Sequence, residues 1–163
     1  MKGKMCLKTG MVIVMVAVLL GLGIHAAAQD KPADMQILQE KIKADKKLLV
    51  AENMDLTESE AKGFWPVYDQ YQKDLAAINQ RIIKLIESYA ADYRAKTLND
   101  EKAKKLIEEM VAIEQAEAGL KKTYVPKLGN VLPQMKVARY LQIENKIRAL
   151  VKYELADGVP LVQ

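Results

Sequence analysis

The chain has 163 residues, 25 of them Lys or Arg and 21 Asp or Glu, and half are hydrophobic. That length suits one domain, or one domain with a tail. The apolar content excludes wholesale disorder, and the formal net charge of +4 owes most of its excess to the first residues.

Met1 to Gly10 carries Lys2, Lys4 and Lys8 and no acid, and Met11 to Ile24 is a run of 14 apolar or Gly residues. Ala26, Ala27 and Ala28 follow, with Gln29 and Asp30 beyond them. A basic start, a short apolar run and a small-residue site form the pattern of a secretory signal peptide. Residues 1–28 are therefore read as a removed signal, leaving 29–163 as a single exported domain. A spanning helix needs about 20 apolar residues, so no stable membrane insertion is expected. Cys6 precedes the apolar run and is misplaced for a lipid-bearing residue.

Removing Lys2, Lys4 and Lys8 leaves 22 basic residues against 21 acidic ones. A nucleic-acid binder carries a basic excess, so no nucleic-acid partner is expected. Cys6 and His25 are the single cysteine and histidine, so the exported domain has no disulfide, thiol or imidazole. This excludes zinc, copper and nickel sites built on His or Cys. It also excludes Ser-His-Asp and Cys-His catalysis. No cofactor, metal site or catalytic residue is assigned, and an enzyme is not expected.

From Asp34, a plausible N-cap, Met35, Leu38, Ile42 and Leu49 fall at helical spacing, with Asp45 interrupting them. This predicts a first helix running to about Glu52, with Asn53 as its stop. Thr57 with Glu60 three residues on is a capping box opening a second helix. Its stripe is Phe64, Tyr68, Tyr71, Leu75, Ile78, Ile82, Leu85 and Tyr89, a heptad rhythm that favours long helices crossing at a shallow angle. This helix should reach about Tyr93, bent at Pro66 in its third turn. Asn99 should cap a third helix, with Asp100 and Glu101 in its first turn. Ala103, Leu106, Met110, Ile113, Leu120 and Tyr124 form its stripe, Glu117 takes one seam position, and Pro126 kinks or ends it. Pro133 suits the first turn of a fourth helix, lined by Val137, Tyr140, Leu141, Ile147, Val151 and Leu155 and stopped by Gly158 and Pro160. No segment alternates with period two. The expected fold is all-α: an elongated antiparallel bundle or hairpin of three to four long helices, kinked near the prolines.

Leu56-Thr57-Glu58-Ser59-Glu60 and Leu98-Asn99-Asp100-Glu101-Lys102 resemble the paired LTxxQ signatures of the Spy/CpxP family of periplasmic proteins. Glu60 and Lys102 stand at the Gln positions. A second resemblance joins three stretches. These are Phe64-Trp65-Pro66-Val67-Tyr68-Asp69-Gln70-Tyr71, Leu132-Pro133, and the run from Ala138 to Ala149. Together they are similar to an uncharacterised subgroup of bacterial exported proteins with this layout. The family resemblance implies a thin helical protein, dimerising into a cradle and binding unfolded clients without ATP, as a holdase or an envelope stress-response accessory. Its partners would be unfolded or envelope proteins and a second copy of the chain, as a homodimer. An adaptor on a single envelope sensor and a purely structural helical dimer are the alternatives.

Two candidate client- or partner-binding clusters stand out. Phe64, Trp65, Tyr68 and Tyr71 are one; they are either helical core or an exposed face gripping apolar segments, with Trp65 at the margin. Arg139, Tyr140, Gln142, Glu144, Asn145 and Arg148 are the other, either a recognition network or a solvated helix side with ordinary i,i+4 pairs. Glu114 and Glu117 are spaced to share a hard cation but lack a calcium-loop motif. They read as a solvated acidic side.

Overall fold

The computed structural model describes residues 33–162, with side chains from Ala44 onward. The signal-peptide reading of residues 1–28, and the side chains of Met35, Leu38 and Ile42, lie outside the described residues. Among the described residues four helices follow in order: α1 (Ala33–Met54), α2 (Glu58–Ala95), α3 (Asp100–Gly129) and α4 (Gln134–Gly158). No strand occurs among the described residues, so the fold is all-α. It divides into two compact units, one of α1 with Arg139–Pro160, the other Leu56–Ala138.

Helix ends follow local chemistry. Thr57 Oγ1 accepts from Glu60 N at 3.3 Å, and Glu60 Oε2 accepts from Thr57 N at 2.8 Å. That reciprocal box satisfies two orphan donors. Asn99 Oδ1 accepts from Lys102 N at 3.0 Å to start α3. The Pro133 carbonyl accepts from Val137 N at 3.1 Å, so Pro133 immediately precedes α4, where its missing N–H is no loss.

Both ends of α1 differ from the sequence expectation. α1 begins at Ala33, which places Asp34 inside the helix, and runs on to Met54. The Asn53 amide donates to Leu49 O at 2.8 Å without stopping the helix. Of the two outcomes expected at Pro126, a kink or an end, the end does not occur: α3 runs on to Gly129. Pro66 likewise sits inside α2. Each proline frees the carbonyl four residues back. Lys62 and Lys122 carry those carbonyls and are exposed, so water can take the freed acceptors.

In the Leu56–Ala138 unit, α2 and α3 form an antiparallel hairpin. Asp92 meets Lys102, Arg81 meets Glu109 and Asp74 meets Tyr124. Each step back along α2 is a step forward along α3. The register continues outside α3: Glu60 meets Lys136 at 2.6 Å, and a Cβ added to Gly63 would lie 3.0 Å from Val131 Cβ. Phe64, Tyr68, Tyr71, Leu75, Ile78 and Tyr89 of α2 are buried, as are Ile113, Tyr124 and Leu128 of α3 and Leu132 and Val137 beyond it. These α2 residues belong to the predicted heptad row. On α3, Met110 is 48% exposed although its spacing placed it in the seam, while Glu117 is buried there.

In the unit of α1 with Arg139–Pro160, Val50, Met54, Tyr140 and Glu144 are buried. Lys46 Nζ donates to Glu144 Oε2 at 2.9 Å, with the two side chains 12% and 4% exposed.

Candidate functional site

Three of the four predicted aromatic residues are interior. Phe64 is fully buried, and Tyr68 and Tyr71 nearly so. Tyr71 packs edge-on against Tyr124, ring centres 5.2 Å apart. Trp65 alone reaches the surface, half-buried, with its ring 5.0 Å from Phe64 and 5.4 Å from Tyr68. The polar run of α4 is split in the same way. Tyr140 and Glu144 are buried, Arg148 is half-buried, and Arg139, Gln142 and Asn145 are exposed. Glu144 is thus one half of a largely buried ion pair, whose other half, Lys46, lies 98 positions away in the sequence. Glu114 is exposed and Glu117 buried. Among the described residues no group of three or more His, Cys, Asp or Glu side chains converges to hold a metal, and no helix is long and apolar enough to cross a membrane.

The hairpin has two unlike flanks. Helical residues advance about 100° each, so Gln70, Asp74, Arg81, Ser88 and Asp92 share one side of α2, and Lys102, Lys105, Glu109 and Lys127 share one side of α3. These two rows lie on the same side of the hairpin, because their members bond across it. Arg81 Nε and Nη2 donate to the two Glu109 oxygens at 2.8 and 3.1 Å. Lys102 Nζ donates to Asp92 Oδ1 and, at 3.1 Å, to Thr97 Oγ1. The Tyr124 hydroxyl donates to Asp74 Oδ2, while Gln70 Nε2 donates to Asp74 Oδ1 at 2.8 Å. The Lys127 ammonium sits 4.3 Å from the centre of the Tyr124 ring, a cation–π contact.

These bonds set the protonation behaviour of the polar flank. The Tyr124 hydrogen bond, then that of Gln70, holds the Asp74 carboxyl below its ordinary value. Lys102 does the same for Asp92, and Arg81 for Glu109. Burial first, and the bond to Asp74 second, push the Tyr124 phenol up to about 12. Its stabilising effect is complete below the unfolded value of about 10 and is lost as pH rises through the folded value. Tyr124 should accordingly stay protonated at pH values where exposed tyrosines ionise. Phenolate absorbance of the wild type and Tyr124→Phe checks this: the variant should lose one tyrosine's signal from the part of the titration above about 10 and keep the signals of the exposed tyrosines.

The opposite flank is apolar. On α2, Trp65, Ile83, Ile86 and Ala90 share that side at helical spacing and are half-buried, with the polar Gln72 and Asn79 between Trp65 and Ile83. On α3, Ile107 is 58% and Val111 41% exposed, with Met110 beside them. Ala118 and Val125 continue that side of α3 and are also exposed. The antiparallel register sets Ile83 and Ile86 across from Val111, Met110 and Ile107. A two-helix layer leaves this side uncovered within the unit. Exposed lone apolar residues are ordinary, but a contiguous row bordered by charge marks an interaction surface. Lys104 and Glu108 border it on α3, and Glu114 separates Val111 from Ala118; all three are exposed. Sequence reasoning missed this row. Ile107 and Val111, four residues apart, were its signal, overshadowed by the stronger seam beside them.

Neither protein-family models, nor curated proteins, nor solved structures give a match to this chain.

Proposed function

We propose that this chain is a periplasmic, ATP-independent client-binding protein, a holdase or envelope stress-response accessory of the Spy/CpxP kind, working as a homodimer. The observation that carries the reading is the uncovered apolar flank of the α2–α3 hairpin, with Ile107, Met110 and Val111 at 58%, 48% and 41% exposure. Such a surface offers several weak apolar contacts to an unfolded segment, and the charges along its edge keep the protein soluble and attract polar parts of the client. The three-part start of the chain and the two LTxxQ-like helix starts support the export and family parts of the reading.

Light scattering of two unrelated aggregating proteins, without ATP, tests it. The wild type should suppress both near stoichiometric ratios. Ile107→Asp with Val111→Asp should lose most of that suppression, while thermal stability stays close to wild type because both side chains are already exposed. Suppression of neither client by the wild type overturns the holdase reading. A single partner captured at defined stoichiometry would then identify an adaptor.

A further inference from the structure

On the polar flank, between α2 and α3, lies a shallow cleft of about 300 Å³, at the lower end of the volumes that hold small molecules. Leu85 and Leu106 give it an apolar lining, one from each helix. Two ion pairs account for most of its charge, Arg81 with Glu109 and Lys102 with Asp92. The remaining charged residues of the lining, Lys84 on α2 and Lys105 on α3, are both positive, and Ser88 adds a hydroxyl. Lys105 does bond Glu101 one turn back at 2.8 Å, but with 71% and 77% of the two side chains exposed. A pair that open to water contributes little and yields readily to a better anion. The cleft therefore combines an apolar lining with two cationic groups on opposite walls, left over after its internal pairs are formed.

We propose that this cleft binds a small anionic amphiphile: a carboxylate or phosphate headgroup carrying a short hydrocarbon body. The headgroup lies between the Lys84 and Lys105 ammonium groups, with Ser88 able to donate to it. The body covers Leu85 and Leu106. A medium-chain fatty acid or alkyl phosphate has this make-up. The proposal does not rest on the client-binding reading, which uses the other flank of the hairpin.

The test titrates the purified protein with decanoate, decyl phosphate, decyltrimethylammonium and inorganic phosphate, by calorimetry and by amide NMR shifts. Decanoate and decyl phosphate should bind saturably at one site per chain and shift Leu85, Ser88 and Leu106. Lys84→Glu with Lys105→Glu should weaken them at least about tenfold by reversing the local charge. Both lysines are exposed, so the fold should survive, and circular dichroism verifies it. Ile107→Asp on the other flank should leave their binding unchanged. The proposal is overturned if neither anionic amphiphile saturates the site or the lysine variant binds them normally. It is equally overturned if decyltrimethylammonium or inorganic phosphate binds as tightly, or if Ile107→Asp abolishes binding. Loss of aggregation suppression with amphiphile binding intact would reject the client reading alone.

Discussion

Glu144→Ala is expected to destabilise the protein by about 3–5 kcal/mol, the usual loss when one member of a buried ion pair is removed. The substitution suits α-helix better than glutamate does, so helix propensity cannot account for a loss. The cause is Lys46, whose side chain is only 12% exposed and bonds Glu144 at 2.9 Å. Without that carboxylate its ammonium stays in a poorly solvated place. Changing both residues, Lys46→Met with Glu144→Leu, should recover most of the stability, since apolar residues of similar volume often replace buried pairs without loss. Urea unfolding followed by circular dichroism gives all three values. If the single variant lost no more than an exposed pair does, about 1 kcal/mol or less, the pair would not be stabilising this unit.

Phe64→Ala should cost about 3–5 kcal/mol, as buried aromatic truncations do. Phe64 has no exposed surface and lies in the centre of the Trp65–Phe64–Tyr68 cluster, with ring centres 5.0 and 5.9 Å away. The neighbouring Trp65→Ala should cost no more than about half as much, because only part of that ring leaves water on folding. The functional order should be the reverse. Trp65 lies on the apolar flank, so its loss should weaken client protection in protein that is still folded. Chemical denaturation and light scattering on the same two variants separate the effects. If Trp65→Ala protects clients as well as wild type, Trp65 has no binding role.

The helices were legible because their signals are local. Thr57 with Glu60, Asn99 before two acids and Pro133 each act within one turn, and each appears where its chemistry put it. The tyrosine-rich row of α2 was legible because a heptad repeat can be satisfied only by a long packed partner. Other features depend on contacts remote in sequence. Glu144 read as part of either a recognition network or a solvated helix side, because no local signal announces its pairing with Lys46, 98 positions away. Asp55 and Lys96 adopt positive φ of 53° without the glycine that usually announces such a turn. After Lys96, Thr97 N bonds back to Asp92 O at 3.0 Å, and this closure holds a conformation that the residue type disfavours. The candidate surface was least legible. It is a second row on α3, and only the absence of a covering helix within its unit distinguishes it from core.

The unlike flanks of the hairpin imply opposite responses to dissolved salt. Ions screen the Arg81–Glu109 and Lys102–Asp92 attractions, which are partly open to water, so chloride salts should loosen that side slightly. Strongly hydrated anions such as sulfate promote apolar burial, so they should tighten whatever settles on Ile107, Met110 and Val111. Ionic composition would then tune how firmly the two helices hold each other and how firmly they hold a guest, in opposing directions.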